Sequence, residues 1–258
     1  LADSLSFSDA EQIEFTCSDP QLPTDNGNIV VRAANELKEC FSIREGVKIH
    51  LEKYIPSPGG LGGGSSNAAM TLIGLAKMWN LNASGNAIHA IATELGSDVP
   101  FFLLGGTAIG TGRGEIIEPI TDFAAKYMLI VTPDVSVSTK EAFVGLNAPS
   151  LTKAEANHIL NVCRFDLESS DLLQTELKND FETAIFTAHP EIGRVKETLL
   201  ELGAKQALMS GSGASVFGIF DNEETRQAAM KALDRQVNWR TFAVATISRD
   251  EYREALMC

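Results

Sequence analysis

Pro56-Ser57-Pro58-Gly59-Gly60-Leu61-Gly62-Gly63-Gly64-Ser65-Ser66-Asn67 runs straight from a strand-like segment into a helix-like one. Five of the six residues at 59–64 are glycine. Ordering glycine costs more backbone entropy than ordering any other residue, roughly 0.5–1 kcal/mol each relative to Ala inside regular structure. A loop that accepts this cost needs a reason, and close approach of backbone N–H groups to a phosphate is one. The helix behind it offers unpaired N–H groups and a partial positive charge, worth roughly 0.3–2 kcal/mol toward an anionic group. A flexible linker is the plain alternative, but a linker needs no helix directly after it. Two common phosphate loops are excluded by the letters. No Lys follows Gly64, as a Walker A loop requires, and the G-x-G-x-x-G dinucleotide fingerprint does not occur in the stretch.

Outward from the loop, strand-like and helix-like patterns alternate. Val47, Ile49, Leu51 and Lys53 alternate with Lys48, His50, Glu52 and Tyr54, the period of two that marks a strand with one buried face. Ahead of it, Ile29, Ala33, Leu37 and Phe41 recur at helical spacing over 28–41. Behind the loop, Ser65, Ser66 and Asn67 are N-cap candidates, and Ala68, Ala69, Leu72, Ile73, Ala76 and Trp79 form an apolar stripe. A second helix is expected over 84–95, followed by Gly96-Ser97-Asp98-Val99-Pro100 and the apolar run 101–104.

Beyond Pro119 the pattern restarts as a second unit. A short apolar strand covers 127–131, and 139–146 and 179–188 read as helices. Pro190 and Gly203 bracket a 12-residue amphipathic helix in the arrangement expected of helix ends. Strands at 205–209 and 214–220 are joined by Ser210-Gly211-Ser212-Gly213, which on its own reads equally well as an ordinary hairpin turn. Asp221 with Glu224 has capping-box spacing for a helix to 233, and 241–247 closes as a strand. This half reads as a split βαβ sandwich. The expected fold class is α/β (α+β) in two domains, 1–125 and 126–258.

The whole chain has 258 residues, 44% of them apolar and 21% charged, the mixture of a soluble globular protein. Its 34 acidic against 21 basic residues leave a net charge of −13. That balance argues against nucleic acid or an anionic membrane as partner, so a phosphorylated ligand would have to be met locally, by amides and an accompanying cation. Cysteines at 17, 40, 163 and 258 form no C-x-x-C pair and have no His partner in ligand spacing, which points to neither a disulfide framework nor zinc. No run of 18 apolar residues and no leader occurs, so a cytoplasmic location is expected. Leu1 stands where a strand is already under way, so residues upstream of it are expected.

Three segments, in order and spacing, resemble the GHMP kinase superfamily, and within it the diphosphocytidyl-methylerythritol kinase branch. The 56–67 stretch is similar to that branch's Pro-x-x-x-Gly-Leu-Gly-Gly-Gly-Ser-Ser-Asn motif, with Ser57 and Pro58 where Met or another Gly is usual. Leu95-Gly96-Ser97-Asp98-Val99-Pro100-Phe101-Phe102 resembles the segment holding the catalytic aspartate, and Met209-Ser210-Gly211-Ser212-Gly213-Ala214 the third, Gly-rich motif. The branch opens with Pro-Ala-Lys-Leu-Asn-Leu and Asp-Gly-Tyr-His segments, which supply a lysine beside the aspartate; residues 1–8 resemble the stretch that comes directly after those two segments.

The resemblance implies a two-domain fold, with an N-terminal ribosomal protein S5 domain 2-like ATP-binding domain and a C-terminal ferredoxin-like split βαβ domain. It implies ATP and Mg2+ as cofactors and a cytidine diphosphate-linked methylerythritol as small-molecule substrate, in isoprenoid precursor synthesis, for a monomer or homodimer. Asp98 is then the base toward the acceptor hydroxyl, the role phosphoryl transfer asks of a carboxylate; a turn or helix-cap residue is its plain alternative. Pro58, Gly59, Gly60, Leu61, Gly62, Gly63, Gly64, Ser65, Ser66 and Asn67 would hold the nucleotide, together with Asn28, Gly211, Ser212 and Gly213. Ser66 is the candidate metal contact, and Arg113, Thr139 and Phe143 lie toward the substrate. A kinase of the homoserine or mevalonate type, or a non-catalytic ligand sensor on the same fold, stays open as an alternative.

Overall fold

In a computed structural model, which describes residues 1–146 and 177–257, the alternating run forms the middle strand of a three-stranded sheet. β1 (Ser4–Ala10) pairs antiparallel, and β2 (Ile13–Cys17) parallel, with β3 (Gly46–Glu52). Val47, Ile49 and Leu51 are buried on the expected face, against Leu37 of α1 (Ile29–Phe41) and Leu72 and Leu75 of α2 (Gly63–Met78). Each such side chain contributes roughly 1.5–3 kcal/mol when fully withdrawn from water. α3 (Gly85–Leu95) completes the layer with Ile91, Ala92 and Leu95 buried, and its N-cap Ser84 accepts from Ala87 N–H.

Two details of α2 differ from expectation. The helix starts at Gly63, ahead of the serines, with Gly62 at the N-cap. Its buried face is Ala68, Ala69, Thr71, Leu72 and Leu75, with Ile73 and Ala76 only partly covered. A Cβ at Gly63 would stand 3.0 Å from the Ile55 side chain, so close packing on the segment after β3 outranks glycine's poor helix propensity there. The short α4 (Val99–Leu104) follows, and then the hairpin of β4 (Ala108–Thr111) and β5 (Ile116–Pro119).

A four-stranded sheet carries the later half. β6 (Met128–Pro133) is followed by α5 (Thr139–Leu146), α6 (Glu182–Ala188) and α7 (Pro190–Glu201). β7 (Gln206–Met209), β8 (Val216–Ile219), α8 (Glu223–Leu233) and β9 (Trp239–Val244) complete it. The strand order is β7-β8-β6-β9 with every neighbouring pair antiparallel, the arrangement of a split βαβ sandwich. Ile192, Val195 and Leu199 of α7 pack with Leu129, Val131 and Val216. Pro190 opens α7, and Gly203 follows its end at φ +94°. The cap of α8 falls one residue later than expected: Asn222, not Asp221, accepts from Thr225 N–H.

The chain divides into two compact units that are not contiguous in sequence. One comprises Leu1–Ser57, Gly62–Asp122 and Ser248–Cys258, and the other Pro58–Leu61 and Phe123–Ile247. α9 (Arg249–Met257) belongs to the first unit. The Arg249 guanidinium donates to the Gly105, Thr107 and Ile120 carbonyls, and its backbone N–H to Asp122. Of the cysteines, Cys17 and Cys40 are free thiols, and 163 and 258 lie outside the described residues. No described helix is long and apolar enough to cross a membrane.

Candidate active site

In the first unit the second half of the glycine-rich loop turns into α2. Gly62 sits at φ +66°, and a Cβ there would lie 2.7 Å from the Phe102 ring, so both the conformation and the space call for glycine. A glycine N-cap has no side-chain acceptor, and the first helical bond runs from Ser66 N–H to the Gly62 carbonyl at 2.9 Å. The opening N–H groups of α2 are therefore left uncapped by a side chain, the arrangement that suits an anion. Gly64 is exposed, and Ser65 and Ser66 are partly so. Asn67 lies deeper, with its amide donating to Asp3 at 2.8 Å.

That bond belongs to a buried charge cluster beneath the helix start. Lys53 Nζ lies 2.7 Å from Asp3 Oδ2, with side chains 5% and 1% exposed. Asp3 Oδ1 accepts from the backbone N–H groups of Tyr54 and Ile55 at 2.7 and 2.8 Å, and Lys53 donates to the Ile55 carbonyl. Burial alone would push the Asp3 carboxyl up, but the bonds from Lys53, Ile55, Tyr54 and Asn67 together hold it below its ordinary value. The cluster fixes the three residues that lead from β3 toward the loop. Neither Asp3 nor Lys53 stands out as a site residue in the sequence. The one clue is that Lys53 continues the buried alternation of β3, where a cation requires a partner.

Asp98 occupies the N-cap position of α4, yet its side chain makes no capping bond, and the residue is exposed. The geometry thus departs from the plain cap reading and leaves a carboxylate facing solvent. Its Oδ1 lies 3.9 Å from the position a Gly114 Cβ would take, beside the turn that joins β4 to β5. Arg113 is exposed in that turn, with its backbone N–H 2.7 Å from Glu115. Hydrogen bonds from the backbone N–H groups of Glu115 itself and of Arg113 hold the Glu115 carboxyl below its ordinary value. Asn28 caps α1: it accepts from Val30 N–H at 3.0 Å, donates to the Pro23 carbonyl at 2.9 Å and is buried.

In the second unit Pro58, Gly59, Gly60 and Leu61 lie along the turn that joins β7 to β8. Ser210 Oγ donates to the Gly60 carbonyl at 2.9 Å, and Ser215 N–H to the Gly59 carbonyl at 3.1 Å. Gly60 has φ +67°, and a Cβ on it would stand 2.2 Å from the Ser210 carbonyl oxygen. Gly211, Ser212 and Gly213 follow in the same turn, and Ser212 Oγ lies 3.4 Å from Thr139 Oγ1 at the start of α5. Phe143 on α5 is 61% exposed and meets Phe181 edge-on at 5.0 Å between centroids. The structure thus gathers Gly62, Gly63, Gly64, Ser65 and Ser66 in the unit of Asp98 and Arg113. It gathers Pro58, Gly59, Gly60 and Leu61 in the unit of Thr139, Phe143 and the 211–213 turn.

Comparison with known proteins identifies the family. The family model for the GHMP kinases N terminal domain matches residues 28–106, and that for the GHMP kinases C terminal matches 159–238. A 4-diphosphocytidyl-2-C-methyl-D-erythritol kinase of Syntrophotalea carbinolica is 39% identical over 245 residues, covering 95% of this chain and 85% of that protein. The protein of that name from Pelodictyon phaeoclathratiforme is 37% identical over 246 residues, covering 90% and 80%. A crystal structure of 4-(cytidine 5'-diphospho)-2C-methyl-D-erythritol kinase matches with TM-score 0.74 at 29% identity, over 94% of this chain and 85% of its own. Homoserine kinase from Cytophaga hutchinsonii, at TM-score 0.70 and 21% identity over 95% and 84%, shares the fold.

Proposed function

Because the chain belongs to the GHMP kinase family, we propose that it transfers the γ-phosphoryl group of ATP to the 2-hydroxyl of 4-diphosphocytidyl-2-C-methyl-D-erythritol, a step in the non-mevalonate synthesis of isoprenoid precursors. The observation that carries this reading is the start of α2, where a glycine N-cap leaves the opening N–H groups to an anion in a chain of net charge −13. Amides, not basic side chains, would hold the triphosphate along Gly62, Gly63, Gly64 and Ser65, with Ser66 offering its hydroxyl. Within the second unit, Pro58, Gly59, Gly60, Leu61 and the Gly211-Ser212-Gly213 turn are the residues proposed to contact nucleotide. Asn28 and Asn67 would serve indirectly, by capping α1 and by tying α2 to Asp3.

Asp98 accepts the proton of the attacking hydroxyl. The hydroxyl oxygen bonds to the γ-phosphorus, the bond from that phosphorus to the β,γ-bridging oxygen breaks, and ADP leaves with the electron pair. The uncapped carboxylate suits this role, since a hydrogen-bonded cap would compete with the substrate for its lone pairs. Among the described residues no three His, Cys, Asp or Glu side chains gather as a metal site. Ser66 is the residue that would hold a magnesium ion through its hydroxyl, and the ion would neutralise charge on the phosphates. Arg113 would reach a substrate phosphate, and Thr139 and Phe143 would meet the cytidine end.

The full-length protein should form ADP from ATP only when the methylerythritol substrate is present, with the phosphate appearing on the 2-oxygen by phosphorus NMR. Asp98→Asn should lower kcat by about 10²–10⁴-fold while the protein still binds ADP. Turnover of homoserine or mevalonate in its place would move the protein to another branch of the family. Full activity of Asp98→Asn would remove the proposed base.

A further inference from the structure

β7 and β8 pair as far as Met209 opposite Val216, so the turn between them is six residues long, far more than a tight hairpin needs. Its own bonds run from Ser210 N–H to the Ser215 carbonyl and from Gly213 N–H to the Ser210 carbonyl, at 2.8 and 2.9 Å. Two side chains from just ahead of and inside α6 grip it from outside. Asn179 Nδ2 donates to the carbonyls of Met209 and Gly211, each at 2.8 Å. The amide has two N–H bonds, and the fork engages carbonyls on both sides of Ser210. Its Oδ1 accepts from Phe181 N–H at 3.0 Å, which fixes the amide's orientation. Glu182 Oε1 accepts from Met209 N–H at 2.9 Å, and its other oxygen meets Lys196 Nζ at 2.5 Å. Met209 is thus held by its N–H and by its carbonyl.

The fork dictates where the turn's donors point. In a trans peptide the carbonyl and the following N–H point in opposite directions. The Gly211-Ser212 peptide is trans, so drawing the Gly211 carbonyl onto Asn179 aims the Ser212 N–H away from it. We propose that Asn179, supported by Glu182, is a positioning residue that sets the turn between β7 and β8 to receive the nucleotide's phosphates. The inference rests on the kinase reading above and deepens it.

The test is steady-state kinetics of the full-length protein and its Asn179→Ala, Asn179→Ser and Glu182→Gln variants, with calorimetric titration of ADP and a thermal melt. For Asn179→Ala, KM for ATP and Kd for ADP should both rise about tenfold, while kcat and KM for the alcohol stay within about twofold. Asn179→Ser, which keeps one donor, and Glu182→Gln, which keeps one acceptor, should shift the same constants by less. They carry the comparison if Asn179→Ala does not fold. A role in stability alone predicts a lower Tm and a lower kcat through a smaller active fraction, with KM for ATP unmoved, and that outcome overturns the proposal. If the wild type phosphorylates its alcohol and every folded variant keeps its KM for ATP, this inference falls and the kinase reading stands. If the wild type neither binds ADP nor transfers phosphate, the kinase reading fails and takes the inference with it.

Discussion

Asp3 and Lys53 are 50 residues apart in sequence and 2.7 Å apart in the fold, both nearly sealed from water. Removing one partner of such a pair strands the other charge, at a cost of about 3–5 kcal/mol. The Asp3 carboxyl is held below its ordinary value of 3.8, so its contribution is complete above that value and is lost as pH falls through the lower folded one. Asp3→Asn should accordingly be several kcal/mol less stable than the wild type at pH 7, and the gap should narrow at pH 3. Urea denaturation at the two pH values measures this. An equal gap at both would mean that the cluster acts through shape and not charge.

At the scale of elements, the glycine-rich loop contains two kinds of glycine. Gly60→Ala would drive a Cβ into the Ser210 carbonyl from a left-handed backbone, which should cost about 1–3 kcal/mol in strain and weaken nucleotide binding. A Cβ at Gly64 would meet only Ile29 at 3.8 Å, inside a helix, where Ala is favoured over Gly by about 1 kcal/mol. Gly64→Ala should therefore keep or raise the Tm while raising KM for ATP. Unchanged KM in that variant would show that phosphate does not approach the Gly64 backbone. The motif itself was legible in the letters, as were the ends of α7 at Pro190 and Gly203 and the buried face of β3, because these rest on local backbone chemistry. The true start of α2 was not, because propensity disfavours helix at Gly63 and Gly64 and only tertiary packing overrides it. The pairing of Asp3 with Lys53 and the grip of Asn179 on the β7–β8 turn were hidden for a related reason: nothing local marks a partner 50 or 30 residues away.

At the scale of the whole molecule, the chain leaves its first unit after Asp122 and rejoins it at Ser248. Arg249 makes that return with its guanidinium on the carbonyls of Gly105, Thr107 and Ile120 and a 3.5 Å contact with Asp122. Tyr252 adds a 2.6 Å bond to the Phe102 carbonyl, and burial pushes its phenol up to about 12. Arg249→Met should cost about 3 kcal/mol or more by stranding those carbonyls. Amide hydrogen exchange should rise over 99–122 and stay unchanged over β6 to β9; a uniform rise would mean that the two units unfold together. At the other unit's seam, Ala125 and Thr246 bond each other where the chain enters and leaves it. This interleaving has a consequence for birth on the ribosome. Residues 123–247 are all synthesised before the stretch that completes the earlier unit, so the part made first is finished last, its Gly105 to Ile120 carbonyls waiting for an arginine not yet translated.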